Sequence, residues 1–275
     1  MSKRKRTKHI NLSEPLVSIL VPIFNRFNFL VLTLQSLKNQ SYNNIQVICV
    51  NDGGESAEKY IEDLNDPRFE YYEHEINGGL PKARNTALKH ARGSFISLLD
   101  SDDIYMKYAI EFRMYMMKKL NADIVYTRAL KDIWEKLENN SYRSIGKNLY
   151  WDSPFDRDLI LIQNISPCCC PLFSRKSWDN SQNYMFDEEL TTTEDHDLWI
   201  ALSRKTRFEE LKIIDCECSY RREVGGQMTG NLNFAPNWIK VFKKWRHTAK
   251  NLEYVVNAQN GILKRAGINP EDYGL

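Results

Sequence analysis

The sequence predicts an α/β fold, with a mostly parallel sheet covered by helices on both faces and a helical extension at the C-terminus. Three observations predict it. Short apolar runs alternate with stretches of helical period through the first half of the chain. Carboxylates and glycines gather where those runs end, and strand ends are where open α/β sheets place their ligands. From Pro236 the chain turns basic, aromatic and helical to about Arg265.

The elements follow in order. Val17-Ser18-Ile19-Leu20-Val21 reads as a first strand stopped by Pro22. Leu30, Leu34 and Leu37 recur at helical spacing and predict a helix from about Phe27 to Asn39. Ile45 to Val50 is a second strand running into Asn51-Asp52-Gly53-Gly54. A helix from about Ala57 to Leu64 leads to a short third strand, Phe69 to Tyr72. After the turn Asn77-Gly78-Gly79, Leu80 to Ala91 is a helix that Gly93 ends. Phe95 to Leu99 is a fourth strand, followed by a helix from about Lys107 to Leu120 and a strand Ile124-Val125-Tyr126.

The second half is less regular. Lys131 to Asn164 shows no clean period and reads as a mixed connecting region. Cys169 to Phe173 is a strand, Glu194 to Arg204 a helix burying Leu198, Trp199 and Leu202, and Phe208 to Ile214 a further strand. The chain thus divides into a basic disordered tail over 1–14, a folded domain over 15–233 with halves 15–127 and 128–233, and a helical extension over 234–275.

Composition is that of an ordinary globular protein, with 275 residues and a net charge of +2. Lys3, Arg4, Lys5, Arg6 and Lys8 supply five positive charges, so the folded remainder stands near −3. That argues against a nucleic-acid-binding body. No apolar segment follows the basic start, and runs such as Val17 to Phe24 are too short to span a bilayer. Of the six cysteines, none is paired at zinc-finger spacing. They read as reduced, buried thiols of a cytoplasmic protein, with a metal site on Cys168 to Cys170 as the minor alternative.

The chemistry gathers at four places. Leu98-Leu99-Asp100-Ser101-Asp102-Asp103 ends a buried strand with three carboxylates. Unpaired charge is costly there, so a counter-charge is expected, best supplied by a divalent metal that in turn holds a phosphate. Asp102 or Asp103 as cap of the next helix is the plainer reading, but a cap needs one carboxylate. Asp52 before two glycines either accepts from the ring N–H of a uracil or guanine, or makes an ordinary Asp-Gly turn. Asn77-Gly78-Gly79 followed by Lys82 and Arg84 suits a diphosphate at a helix N-terminus, or is a turn with solvated charges. Thr193-Glu194-Asp195-His196-Asp197 opens a helix, and its carboxylates either cap it or provide a general base; His196 reads as a surface residue.

In chain order, "VSILVPIFNR", "VICVNDGG", "NGGLPKARNTAL", "ISLLDSDD" and "TTEDHDLW" resemble the motifs of the family 2 glycosyltransferases over roughly Leu16 to Arg204. The resemblance implies the A-type glycosyltransferase fold, with a Rossmann-like sheet, and a catalytic domain over 15–233 whose first half binds the nucleotide sugar and whose second half binds the acceptor. Pro22, Phe24 and Asn25 would line the base pocket and Asp52 would read the base. Arg84, with Lys82, would lie near the diphosphate. Asp100 would face ribose or metal, and Asp102 would bind the metal, Mn²⁺ or Mg²⁺. Asp195 would deprotonate the acceptor hydroxyl, with Glu194 beside it, in a single displacement that inverts the anomeric carbon. A Tyr-Arg-x-His pattern of many members stands here as Tyr220-Arg221-Arg222-Glu223. Either Glu223 is an oxygen ligand, or the metal has fewer protein ligands, or Arg221 or Arg222 meets phosphate.

The implied activity is transfer from a UDP-sugar, ahead of guanosine or thymidine donors, to a glycan or lipid-linked acceptor in surface polysaccharide assembly. The chain has no Gln-x-x-Arg-Trp motif, which favours single addition over processive synthesis. A sugar-nucleotidyltransferase would start with a Gly-rich loop after the first strand, unlike Pro22-Ile23-Phe24-Asn25. An idle carbohydrate-binding scaffold would have no need of Asp102 and Asp195 together. No Gly-x-Gly-x-x-Gly follows a strand, which disfavours a dehydrogenase. Trp238, Val241, Phe242 and Trp245 share one helical face. That face packs on the catalytic domain in the preferred reading, or meets the inner membrane surface in the other.

Overall fold

The computed structural model describes residues 14–138, 141–150, 153–182, 184–221 and 234–275, with backbone alone for 219–221. Strands β1 (Val17–Ile23) and β2 (Ile45–Asp52) are buried along their whole length. A strand without a polar face has to be covered on both sides, and helices do this here. α1 (Phe27–Lys38) buries Phe29, Leu30, Leu34 and Leu37, and α3 (Leu80–His90) packs on β1 and β2. Between β2 and β3 (Phe69–His74) lies a single short helix, α2 (Glu58–Glu62). With β4 (Phe95–Leu98), these strands run parallel in the order β3-β2-β1-β4.

Pro22 does not stop β1. The strand continues to Ile23, with Pro22 opposite Val50 on β2. Pairing with β4 has ended at Leu20 opposite Leu98, so Pro22 sits where the strand has one neighbour and a missing N–H is tolerated.

The second half of the sheet is mixed. β8 (Pro171–Ser174) is antiparallel between β4 and β6 (Ile124–Lys136). β9 (Phe208–Arg221) is parallel to β6, and β5 (Ile104–Tyr105) pairs antiparallel on the far side of β9. The region that reads as a connection holds the outer half of β6, the strand β7 (Tyr142–Tyr150) paired to it, and α5 (Leu159–Ile162). β7 is exposed along nearly all its length, so it has no buried face to impose an alternating pattern.

α4 (Ala109–Leu120) is locked to β9 by a buried pair: Arg113 donates to both Asp215 oxygens at 2.6 Å, under the Tyr105 ring. Neither Asp102 nor Asp103 caps α4, whose N-cap is Tyr108. Behind β8 comes α6 (Arg175–Asn180), and then α7 (Glu194–Ser203), which is buried at nine of its ten positions.

The C-terminal extension is two helices, not one: α8 (Ala235–Trp245) and α9 (Leu252–Arg265). The break is built by Asp158, whose carboxylate accepts from the Lys250 and Asn251 amides at 2.8 and 2.9 Å, and by Asn251, which caps α9. α8 buries Ile239, Val241 and Phe242, and Trp245 donates to Asp197 of α7. Of the four residues on its apolar face, Val241 and Phe242 are buried and Trp238 and Trp245 half-buried, so the face packs on the protein itself as the preferred reading expects. Among the described residues, no helix is long and apolar enough to cross a membrane.

Candidate active site

The carboxyl ends of β1, β2 and β4 open into a cleft of about 1350 Å³, closed on the other side by the start of α7 and by α8 and α9. Pro22, Phe24 and Asp52 line its donor-half wall, Asp100, Asp102 and Asp103 its floor, and Glu194 and Asp195 the facing wall. The strand-end residues singled out in the sequence thus come together, with three exceptions in their expected roles.

Asp52 is 3% exposed and already holds three donors. Oδ1 accepts from His74 Nδ1 at 2.7 Å and the Gly78 amide at 3.0 Å; Oδ2 accepts from the Gly79 amide at 2.7 Å. The turn amides expected to greet a diphosphate are thus taken by a protein carboxylate. Gly53 makes this approach feasible. It has φ +69°, and a Cβ there would sit 2.3 Å from the backbone of Ile76 and Asn77. Asn25 is not in the cleft wall; its Oδ1 accepts from the Glu55 amide at 3.0 Å and braces the Gly53-Gly54 turn. Lys82 also lies outside the wall, folded against Gly78.

Arg84 lines the cleft but is not an open phosphate ligand. It is 1% exposed, donates to Asp100 Oδ1 at 2.7 Å and to Glu194, and so ties the donor half to the acceptor half. Burial works against its charge, but Asp100, Glu194 and Asp195 outweigh it and hold its pKa well above the ordinary value. Burial pushes the Glu194 carboxyl up to about 7; Asp195 and Asp100 add to the rise and Arg84 opposes it.

Asp195 faces the cleft from the start of α7. Its Oδ1 accepts from the His196 amide at 2.7 Å and its Oδ2 from Asn164 Nδ2 at 3.0 Å, which fixes the carboxylate plane. His196 is buried at 2% exposure, not a surface residue; its Nε2–H donates to the Ile160 carbonyl at 2.6 Å. Burial lowers its pKa, against the pull of the Ile160 carbonyl and of Asp195 and Asp197.

At the acidic cluster, Asp100 also accepts from the Cys168 thiol at 3.1 Å, and Asp102 from Arg26 at 3.3 Å. Potential ligand atoms of Asp100, Asp103 and Cys168 lie within 4.8 Å of one another. Asp100 and Asp103 supply the carboxylate oxygens that a hard divalent cation takes, to be completed by phosphate and water, whereas the Cys168 thiol is a soft ligand and Asp102 lies outside this group, paired with Arg26. Arg222 and Glu223 lie outside the described residues, and only the backbone of Arg221 is described, opposite Trp134.

His74, Asn164 and Arg26 escape a reading of the sequence, and Cys168 enters it only through the minor alternative of a metal site on Cys168 to Cys170. His74 carries no local signal; it reaches Asp52 because β3 sets the two opposite each other. Arg26 had a weak one, since it directly follows the Pro-x-x-Asn turn.

Comparison with known proteins bears on the family and the fold. A Rickettsia bellii protein described as an uncharacterized glycosyltransferase is 32% identical over 244 residues, which are 84% of this chain and 34% of that protein. The chain spans between 34% and 60% of the length of five Rickettsia relatives of this kind. An Escherichia coli protein, UDP-Glc:alpha-D-GlcNAc-diphosphoundecaprenol beta-1,3-glucosyltransferase WfgD, is 33% identical over 137 residues, half of each chain. In structure, residues 1–349 of Staphylococcus aureus TarS in complex with UDP-GlcNAc match with a TM-score of 0.69 at 18% identity, covering 92% of this chain and 72% of that one. The fold is thus that of the A-type glycosyltransferases. The model of glycosyl transferase family 2 matches residues 18–180, well over half of the chain, and the protein belongs to that family.

Proposed function

We propose that the chain is a metal-dependent inverting glycosyltransferase that moves a sugar from a UDP-sugar to a hydroxyl of a glycan or lipid-linked acceptor. The observation that carries this is the pairing across one cleft. Asp100 and Asp102 stand on the floor, and Asp195 stands on the facing wall, at the start of a helix in the other half of the chain. The UDP-containing names of WfgD and of the TarS complex support the choice of donor, and that of WfgD a lipid-linked acceptor.

Pro22 and Phe24 form the base pocket, and Asp52 reads the base through the lone pair of Oδ2 that Gly79 leaves unused. Asp100 and Asp102 would hold Mn²⁺ or Mg²⁺, with Asp103 and Cys168 near Asp100; such an ion would offset the charge of the leaving diphosphate. Asp195 takes the proton of the acceptor hydroxyl as its oxygen bonds to the anomeric carbon and the diphosphate departs from the opposite side. Arg84 does not bind phosphate; it holds Asp100 and Glu194 in fixed relation. The reaction belongs to surface polysaccharide assembly on the cytoplasmic side of the membrane.

A panel of nucleotide sugars, screened for donor hydrolysis with and without Mn²⁺, tests the reading. One UDP-sugar should be hydrolysed in a metal-dependent manner. Hydrolysis of none, or hydrolysis indifferent to metal, overturns it.

A further inference from the structure

The three consecutive cysteines do not act as neighbours in sequence. Cys168 turns toward Asp100, whereas Cys169 and Cys170 turn the other way and meet Cys216 and Cys218 of β9. Cys169 Sγ lies 3.6 Å from Cys216 Sγ and 3.3 Å from Cys218 Sγ, and Cys170 Sγ lies 3.4 Å from Cys216 Sγ. The Sγ atoms of Cys169, Cys170 and Cys216 fall within 4.8 Å of one another. All three are 0% exposed, Cys218 is 9% exposed, and none is in a disulfide.

We infer that Cys169, Cys170 and Cys216 form a three-thiolate site for a soft divalent cation of the Zn²⁺ type, distinct from the cation proposed at the donor diphosphate. Sulfur ligands around a zinc ion stand about 3.8 Å apart, given Zn–S bonds near 2.3 Å. The Cys169–Cys216 and Cys170–Cys216 separations need to open by only a few tenths of an ångström. Cys218 reaches Cys169 but falls outside this group, and groups with Cys169 and Asp103 instead. The three ligands are all sulfur and fully buried, as at a structural site rather than an open catalytic one.

Charge at the site is consistent. Arg113 donates to the Cys169 carbonyl at 2.9 Å, so a guanidinium borders the thiolates, though Asp215 shares it. Binding is a proton exchange. Three neutral thiols give up three protons, three metal–sulfur bonds form, and no electron is transferred. Without an ion, burial holds the Cys170 and Cys216 thiols in the protonated form. The ion would pin the turn that precedes β8 to the middle of β9, and thereby the segment that presents Cys168 to Asp100.

The test is metal content and spectroscopy of the full chain, expressed separately in zinc- and cobalt-supplemented medium and then dialysed against EDTA. The zinc form should retain about one equivalent of metal. The cobalt form should show a thiolate-to-cobalt charge-transfer band in the near ultraviolet, which oxygen ligands do not give. Cys216→Ser should lose both signals, and Cys49→Ser, whose thiol lies outside the cluster, should keep them. Folded wild-type protein without metal or band overturns the inference, whether mass mapping then finds free thiols or a Cys169–Cys218 disulfide. That outcome is read on the wild-type chain and needs no variant to fold. A metal lost from Asp102→Asn but kept by Cys216→Ser would also overturn the inference, and would assign the ion to the donor site instead.

Discussion

Asp197 Oδ1 accepts a hydrogen bond from Trp245 Nε1 at 2.6 Å, and this contact joins the helix carrying Glu194 and Asp195 to the C-terminal extension. The other Asp197 oxygen accepts from Tyr184 at 2.6 Å and Lys244 at 3.0 Å, and the residue is 0% exposed. Replacing Asp197 by Ala leaves the Tyr184 and Trp245 donors without their acceptor and takes from Lys244 one of its two carboxylate partners, the other being Asp187 at 2.9 Å. Stability should fall by about 3 kcal/mol or more, read from urea unfolding. A loss under about 1 kcal/mol would mean that solvent replaces the carboxylate at little cost.

Asp195→Asn keeps shape and removes basicity. Transfer should fall by about a hundredfold or more, with UDP affinity nearly unchanged. Near-normal turnover on the true acceptor would refute the role of general base. Joint loss of UDP binding and turnover would mean a defect of the donor half.

Asp52→Ala should weaken UDP binding far more than pyrophosphate binding, measured by calorimetry, because the base rather than the diphosphate is read there. Folding should also weaken, by about 1–3 kcal/mol, since the Gly78 and Gly79 amides and His74 lose their acceptor. Equal weakening of both ligands would limit Asp52 to organising the turn.

UDP should bind more tightly with Mn²⁺ than without it, and Asp102→Asn should abolish the difference. Equal UDP affinity with and without the ion in wild-type protein sinks this prediction.

The raised Glu194 carboxyl predicts a pH dependence of stability. Its pKa is about 7 in the folded chain against an ordinary 4.5, so the folded state binds the proton more tightly. Its contribution is full below the unfolded value and is lost as pH rises through the folded one. Unfolding free energy should therefore carry a falling component between about pH 5 and 8, and Glu194→Gln, which cannot titrate there, should lack it. An identical slope in both proteins refutes the shift.

The first four parallel strands were legible because burial on both faces writes a continuous apolar run into β1 and β2. The outer half of β6 and all of β7 were not, because an exposed edge strand places no periodic demand on its side chains. The break between α8 and α9 was hidden for a different reason. It is made by Asp158, about ninety residues earlier, whose oxygens take amides that a continuous helix would have used.

By itself the sequence determined where charge stands. Carboxylates at strand ends are incompatible with a closed core, so Asp52, Asp100 and Asp102 mark the cleft before any fold is known, and Asp195, at a helix start, joins them there. Only the tertiary structure decided what each charge and each thiol touches. Arg84 is turned from phosphate to Asp100 and Glu194, 16 and 110 residues away, and Cys169 and Cys170 meet partners 46 to 49 residues on. Local pattern records whether a side chain is buried, through period and hydropathy. The identity of its neighbour is set by strand order and register, which bring together residues that have no relation along the chain.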